Sequence, residues 1–112
     1  MLDGEPAPDA AALMRSRYTA YAVGDFAHLI RTTHPDSPHH GANRRAWMES
    51  LRAFSEETSF EGLDVQYVAQ SGEEAVVQFR ASLEREGKDV SFTERSRFRR
   101  VGGRWLYFDG EG

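Results

Sequence analysis

Leu63-Asp64-Val65-Gln66-Tyr67-Val68-Ala69-Gln70 is where the hydrophobic period of this chain changes. Leu63, Val65, Tyr67 and Ala69 alternate with Asp64, Gln66 and Gln70, the period-two pattern of a half-buried strand. Downstream the pattern continues. Ser71-Gly72-Glu73-Glu74 reads as a turn. Val77, Phe79, Ala81 and Leu83 then alternate with Gln78, Arg80, Ser82 and Glu84. Glu86-Gly87-Lys88-Asp89 is a second turn, and Val90–Val101 is the longest strand candidate. Gly102-Gly103 fits a two-residue hairpin turn that needs φ > 0, and Arg104 to Asp109 is the last strand.

Upstream the period is helical. Asp9 is a good N-cap for a helix over Ala10–Val23, and Gly24 can close it. Asp25 can cap a short second helix with Phe26, Leu29, Ile30 and Thr33 facing inward, stopped by Pro35. His34 to Gly41 is a loop by composition. Asn43 can cap a third helix through about Phe54, burying Trp47, Met48, Leu51 and Phe54. Met1 to Pro8 is an extended lead-in. Helices followed by an antiparallel meander make an α+β order. A curved sheet of four or more strands wrapping the long helix, closed at one end by the shorter helices, is the NTF2-like (cystatin-like) cone. A plain two-layer α/β sandwich is the alternative.

The 112 residues are expected to form one domain, 1–112, large enough to bury a core without metal or disulfide. A net charge of −4 argues against a general nucleic-acid binder. The chain has no cysteine, which removes thiol nucleophiles and thiolate metal sites. No secretory apolar core or membrane-length apolar run is seen, so the cytoplasm is the expected compartment and no membrane partner is expected.

Arg17 breaks the apolar stripe of the first helix. Leu13, Met14, Tyr18, Ala20 and Tyr21 gather on one side, and Arg17 falls among them, while Arg15 points away. A buried cation needs an anion or several acceptors. The long strand offers one: Phe92, Glu94, Ser96 and Phe98 share a face, opposite Thr93, Arg95, Arg97 and Arg99. Glu94 is the expected partner of Arg17 through a bidentate pair, with Ser96, Tyr18 and Tyr21 taking further hydrogen bonds. Such a pair either fixes the docking of helix on sheet or lines a pocket for a small polar ligand. Pairing with Arg17 would keep Glu94 ionised and make it a poor base.

His34, before Pro35, can act as a general base, contact a ligand, or serve as a helix C-terminal cation. Adjacent His39 and His40 converge poorly on a metal, and no metal is expected. Trp47 and Trp105 read as core or rim aromatics, and Trp105 shares its face with Tyr107 and Asp109. Arg95, Arg97, Arg99, Arg100 and Arg104 form a basic ribbon. It is either a surface for nucleic acid or an acidic protein partner, or a solvated face balanced by Glu84, Glu86 and Asp89.

These residues together resemble the YchJ family of bacterial proteins. The resemblance rests on Leu2-Asp3-Gly4, Pro6-Ala7-Pro8, Ala12-Leu13-Met14-Arg15-Ser16-Arg17-Tyr18 and Ala20-Tyr21. It continues through Thr33-His34-Pro35, Trp47, Phe60 with Gly62-Leu63, Glu94-Arg95-Ser96-Arg97-Phe98, and Gly103-Arg104-Trp105 with Tyr107 and Asp109-Gly110. It implies the family's NTF2-like middle domain, without the cysteine-rich SEC-C zinc motif that family members commonly carry before it. It assigns no catalytic role to Arg15, Arg17, Tyr18, His34, Glu94, Arg95 or Arg97.

The leading expectation is a non-catalytic module for a small polar ligand or a partner. Arg17, Tyr18, Tyr21, His34, Trp47, Glu94 and Ser96 would line its pocket, with no cofactor. The alternatives are an NTF2-like enzyme using Glu94 or His34 as acid/base, and a dimerisation domain using the outer sheet face.

Overall fold

A computed structural model describes residues 6–111, so the part of the lead-in and of the resemblance at residues 1–5 lies outside the described residues. Helix α1 spans Ala10–Val23. The Asp9 carboxylate accepts from Ala12 N at 2.7 Å, and Gly24 closes the helix at φ 80°, donating to the Ala20 carbonyl. Helix α2 spans Phe26–Arg31 behind the Asp25 cap. It ends before Thr33 because its last turn is satisfied by hydroxyls. Thr32 Oγ1 donates to the His28 carbonyl at 2.7 Å, and Thr33 Oγ1 donates to the Leu29 carbonyl at 2.8 Å. Helix α3 spans Arg44–Glu57 from an Asn43 cap, and none of its residues is fully buried.

The strands are β1 (Ser59–Ser71), β2 (Glu74–Arg85), β3 (Lys88–Asp89), β4 (Phe92–Val101) and β5 (Arg104–Glu111). They form one antiparallel sheet in the order β1-β2-β4-β5, with β3 paired to β2. The expected single strand from Val90 is divided. Lys88–Asp89 closes a tight hairpin with β2 through Glu86 and Gly87, and β4 starts at Phe92. Ser91 separates the two pieces, its Oγ accepting from Leu83 N at 2.9 Å. The Gly102-Gly103 turn has φ of 57° and 78°, which an L side chain rarely adopts.

The core lies between α1 and the sheet's inner face. Leu13, Val77, Phe79, Ala81, Leu83, Phe98 and Trp105 are its buried centre. Burying a side chain the size of Phe98 or Leu13 contributes about 1.5–3 kcal/mol.

Three register shifts interrupt the alternation, one of them at Glu61 early in β1, and the other two change the faces expected for Tyr67 and Asp109. In β1, Val65 opposes Phe79 but Tyr67 opposes Gln78, so Gln66 is the extra residue. Beyond it the phase reverses: Val68 opposes Val77 but stays 46% exposed near the end of the strand, and Tyr67 turns outward, 51% exposed, with the Arg95 guanidinium 5.8 Å from its ring. In β5, Tyr107 opposes Phe98 but Asp109 opposes Arg97, so Phe108 is extra. Asp109 therefore does not share a face with Trp105 and Tyr107, as the alternation suggested. It ion-pairs with Arg97 on the outer face.

Candidate functional site

A partly open cavity of about 400 Å³ lies between α1, α3 and the inner sheet face. Met14, Arg17, Tyr18 and Tyr21 line it from α1, and Trp47, Ser50, Leu51 and Phe54 from α3. The sheet supplies apolar wall from Phe60, Phe79, Ala81, Leu83 and Phe92. It adds Glu94, Ser96 and Tyr107 at the polar end, where Leu29, Thr33 and His39 complete the lining. Such a size and such walls suit a small organic molecule.

Arg17 is 7% exposed. Among the described residues, one guanidinium nitrogen, Nη1, makes all its hydrogen bonds: to the Leu29 carbonyl at 3.0 Å, Thr32 Oγ1 at 2.7 Å and Thr33 Oγ1 at 3.3 Å. The guanidinium lies 4.6 Å from the centre of the Tyr107 ring. Burial lowers the Arg17 pKa, opposed in part by Tyr21, Tyr107 and the charge of Glu94.

The expected direct pair with Glu94 is not made: among the described residues, no carboxylate forms an ion pair with Arg17. Neutral oxygens from the end of α2 reach the cation instead. Glu94 is held on the sheet, accepting from Ser96 Oγ at 2.6 Å. Its carboxylate occupies the space beside Gly110, where a Cβ would collide with it. Arg17 and Glu94 thus line one cavity and feel each other only through space. Burial raises the pKa of Tyr107, and the nearby Glu94 charge raises it further.

Of the residues expected at the pocket, Arg17, Tyr18, Tyr21, Trp47, Glu94 and Ser96 line the cavity, and His34 does not. The loop turns His34 away. Its N–H donates to the Tyr107 carbonyl at 2.8 Å, its Nδ1 accepts from Asp36 N at 2.9 Å, and its ring meets Phe108 edge-on. His39 takes the place at the rim, its exposed ring 5.9 Å from that of Tyr107. The Tyr18 ring packs edge-on against Phe60, and its hydroxyl is buried with no hydrogen-bond partner among the described residues. Thr33, His39 and Tyr107 were not singled out for the pocket from the sequence. The one available signal was the Thr32-Thr33 pair placed one turn beyond Leu29.

A second polar cluster supports the first. Ser16 Oγ donates to the Leu13 carbonyl at 2.8 Å, so His28 Nε2 must donate to Ser16 Oγ across 2.9 Å. Arg31 donates to His28 Nδ1 at 3.1 Å. That arrangement requires a neutral imidazole, and burial, together with Arg31, lowers the His28 pKa to about 4. The cluster ties α1 to α2 and so positions the acceptors of Arg17.

The arginines expected to form the ribbon are largely engaged, and Arg100 is not on its face: it opposes buried Trp105, its guanidinium 5.1 Å from that ring. Arg97 pairs with Asp109, Arg100 with Glu73 at 2.9 Å, and Arg95 donates to Gln78 at 3.0 Å. Arg99 lies 3.7 Å from the Phe108 ring centre. Asp109 and Glu73 do the balancing expected of Glu84, Glu86 and Asp89. Among the described residues no three His, Asp or Glu side chains cluster for a metal, and no helix is long and apolar enough to cross a membrane.

The sequence model described as YchJ, middle NTF2-like domain, matches residues 9–110. A UPF0225 protein of Streptomyces coelicolor is 44% identical over 105 residues, covering 94% of this chain and 76% of that protein. Another, from Enterobacter sp. (strain 638), is 39% identical over 106 residues, covering 93% of this chain and 66% of that protein. This chain thus spans about two-thirds of the Enterobacter protein's length. The solution structure of a SEC-C motif containing protein from Rhodopseudomonas palustris superposes with a TM-score of 0.84 at 37% identity, covering 98% and 83% of the two chains. An M. tuberculosis LEH-like epoxide hydrolase superposes at 0.59 with 16% identity, covering 87% and 79%, a likeness of fold alone.

Proposed function

For a chain that belongs to the YchJ family through its middle NTF2-like domain, we propose a non-catalytic module that holds a small ligand in the cone. The observation carrying this reading is Arg17: a cation 7% exposed at one end of a 400 Å³ cavity, fixed in place by neutral oxygens. The Tyr18, Tyr21, Trp47 and Phe54 side chains supply walls for an apolar body. An acid/base enzyme has less support. The Nδ1 of His34 is occupied by a loop N–H outside the cavity, and Glu94 is already held by Ser96.

The test is amide-resolved NMR with phenylacetate, 2-phenylethanol and phenethylamine, three probes that differ only in the terminal group. At least one is expected to shift Tyr18, Leu51 and Tyr107 resonances, and Leu51→Trp should weaken binding by narrowing the cavity. If none binds the native chain, or the Trp variant binds as tightly, the reading is wrong.

A further inference from the structure

We infer that the ligand is a small monocarboxylate on a flat apolar body, with its carboxylate at Arg17. The inference rests on the cavity reading above and adds the ligand's chemistry.

It follows from an inventory of what the cavity leaves unused. The three bonds of Arg17 all leave from Nη1. Nε and Nη2 hold no hydrogen bond among the described residues, yet neither is sealed off from open space as a buried orphan. They form the side of the guanidinium that matches a carboxylate in bidentate geometry. The acceptors on Nη1 are neutral, so they orient the cation without cancelling its charge. Thr32 and Thr33 are themselves fixed by donating to the His28 and Leu29 carbonyls. The cation is thus pre-oriented before any ligand arrives, which lowers the ordering cost of binding.

Glu94 narrows the choice of anion. It lines the same cavity and its charge reaches both Arg17 and Tyr107. With Glu94 ionised, a monoanion at Arg17 brings the group to one net negative charge, whereas a dianion such as phosphate brings it to two and is repelled more strongly. The remaining wall is mostly aromatic and aliphatic, including Trp47, Leu51, Phe54 and Phe79, with the ionisable His39 confined to the rim.

The same three probes decide it, with inorganic phosphate added. Phenylacetate is expected to bind at least tenfold more tightly than 2-phenylethanol, with phenethylamine weakest. It alone should shift the Arg17 Nε–H resonance. Glu94→Gln should tighten phenylacetate several-fold and leave 2-phenylethanol unchanged, a readout that does not depend on an Arg17 variant folding. If the alcohol binds as tightly as the acid, or Glu94→Gln leaves the acid's affinity unchanged, the carboxylate assignment falls while the cavity reading stands. An Arg17 Nε–H shift with phosphate equal to that with phenylacetate overturns the monoanion preference. Absence of binding by every probe overturns both.

Discussion

Acidification should unlock α1 from α2 through one side chain, His28. It is 2% exposed, and its neutral Nε2–H tautomer is required by Ser16 on one side and Arg31 on the other. Its pKa falls from 6.5 in the unfolded chain to about 4 in the fold. Between those values the unfolded state binds more protons, so stability rises with pH across the window and is lost as pH falls through it. Integrating that difference gives a loss of about 2 kcal/mol between pH 7 and 5, and about 3 kcal/mol by pH 4. Urea denaturation at half-unit steps measures it. Carboxylates whose pKa values are lowered by ion pairs, such as Asp109, add their own loss toward the acid end. His28→Gln separates the two contributions, because it keeps a donor near Ser16 and cannot titrate. The native profile should fall away from that of the variant between pH 6.5 and 4. Parallel profiles would falsify the assignment of a buried neutral imidazole.

Gly110→Ala should cost no more than about 1.5 kcal/mol, because it displaces only the flexible end of Glu94 and its hydrogen bond from Ser96, and Glu94→Ala in the same chain should remove that cost in a thermal melt. Tyr18→Phe should leave stability unchanged or raise it by about 0.5–1 kcal/mol, since the lost hydroxyl is buried and unpartnered among the described residues; a fall of more than about 1 kcal/mol by urea titration would reveal a partner. Tyr67→Ser should change stability by less than about 1 kcal/mol because the bulge at Gln66 puts Tyr67 outside. A cost of about 3 kcal/mol or more in the same titration would put it back in the core.

The helix starts and the order of elements were legible because their signals are local. Asp9, Asp25 and Asn43 each cap the helix they precede, and Gly102-Gly103 fits one kind of turn. The bulges were not legible, and the reason is specific. Tyr67-Val68 and Tyr107-Phe108 each place two apolar residues side by side, so either phase of a period-two pattern fits. Only the partner strand decides between them.

Arg17 shows the same division. A cation on an apolar stripe demands acceptors, and that much was readable. Its acceptors proved to be a carbonyl and two hydroxyls at the C-terminal end of α2, groups with no charge to mark them in the sequence. Glu94 was the only visible candidate, and Gly110 gave it somewhere else to lie. His34 and His39 sit in a loop without periodicity, so nothing in their spacing showed which ring meets the cavity.

The end of α2 also acts on the sheet. Thr33 bridges Tyr107 in parallel, with Tyr107 N donating to the Thr32 carbonyl at 2.7 Å and His34 N to the Tyr107 carbonyl at 2.8 Å. That short graft covers part of the outer rim of β5, while β1 at the opposite rim is bent by bulges at two places. A rim that is covered, and a rim that is not straight, are both poor templates for a strand from another molecule. The segment that orients Arg17 therefore also guards the protein against strand-by-strand aggregation.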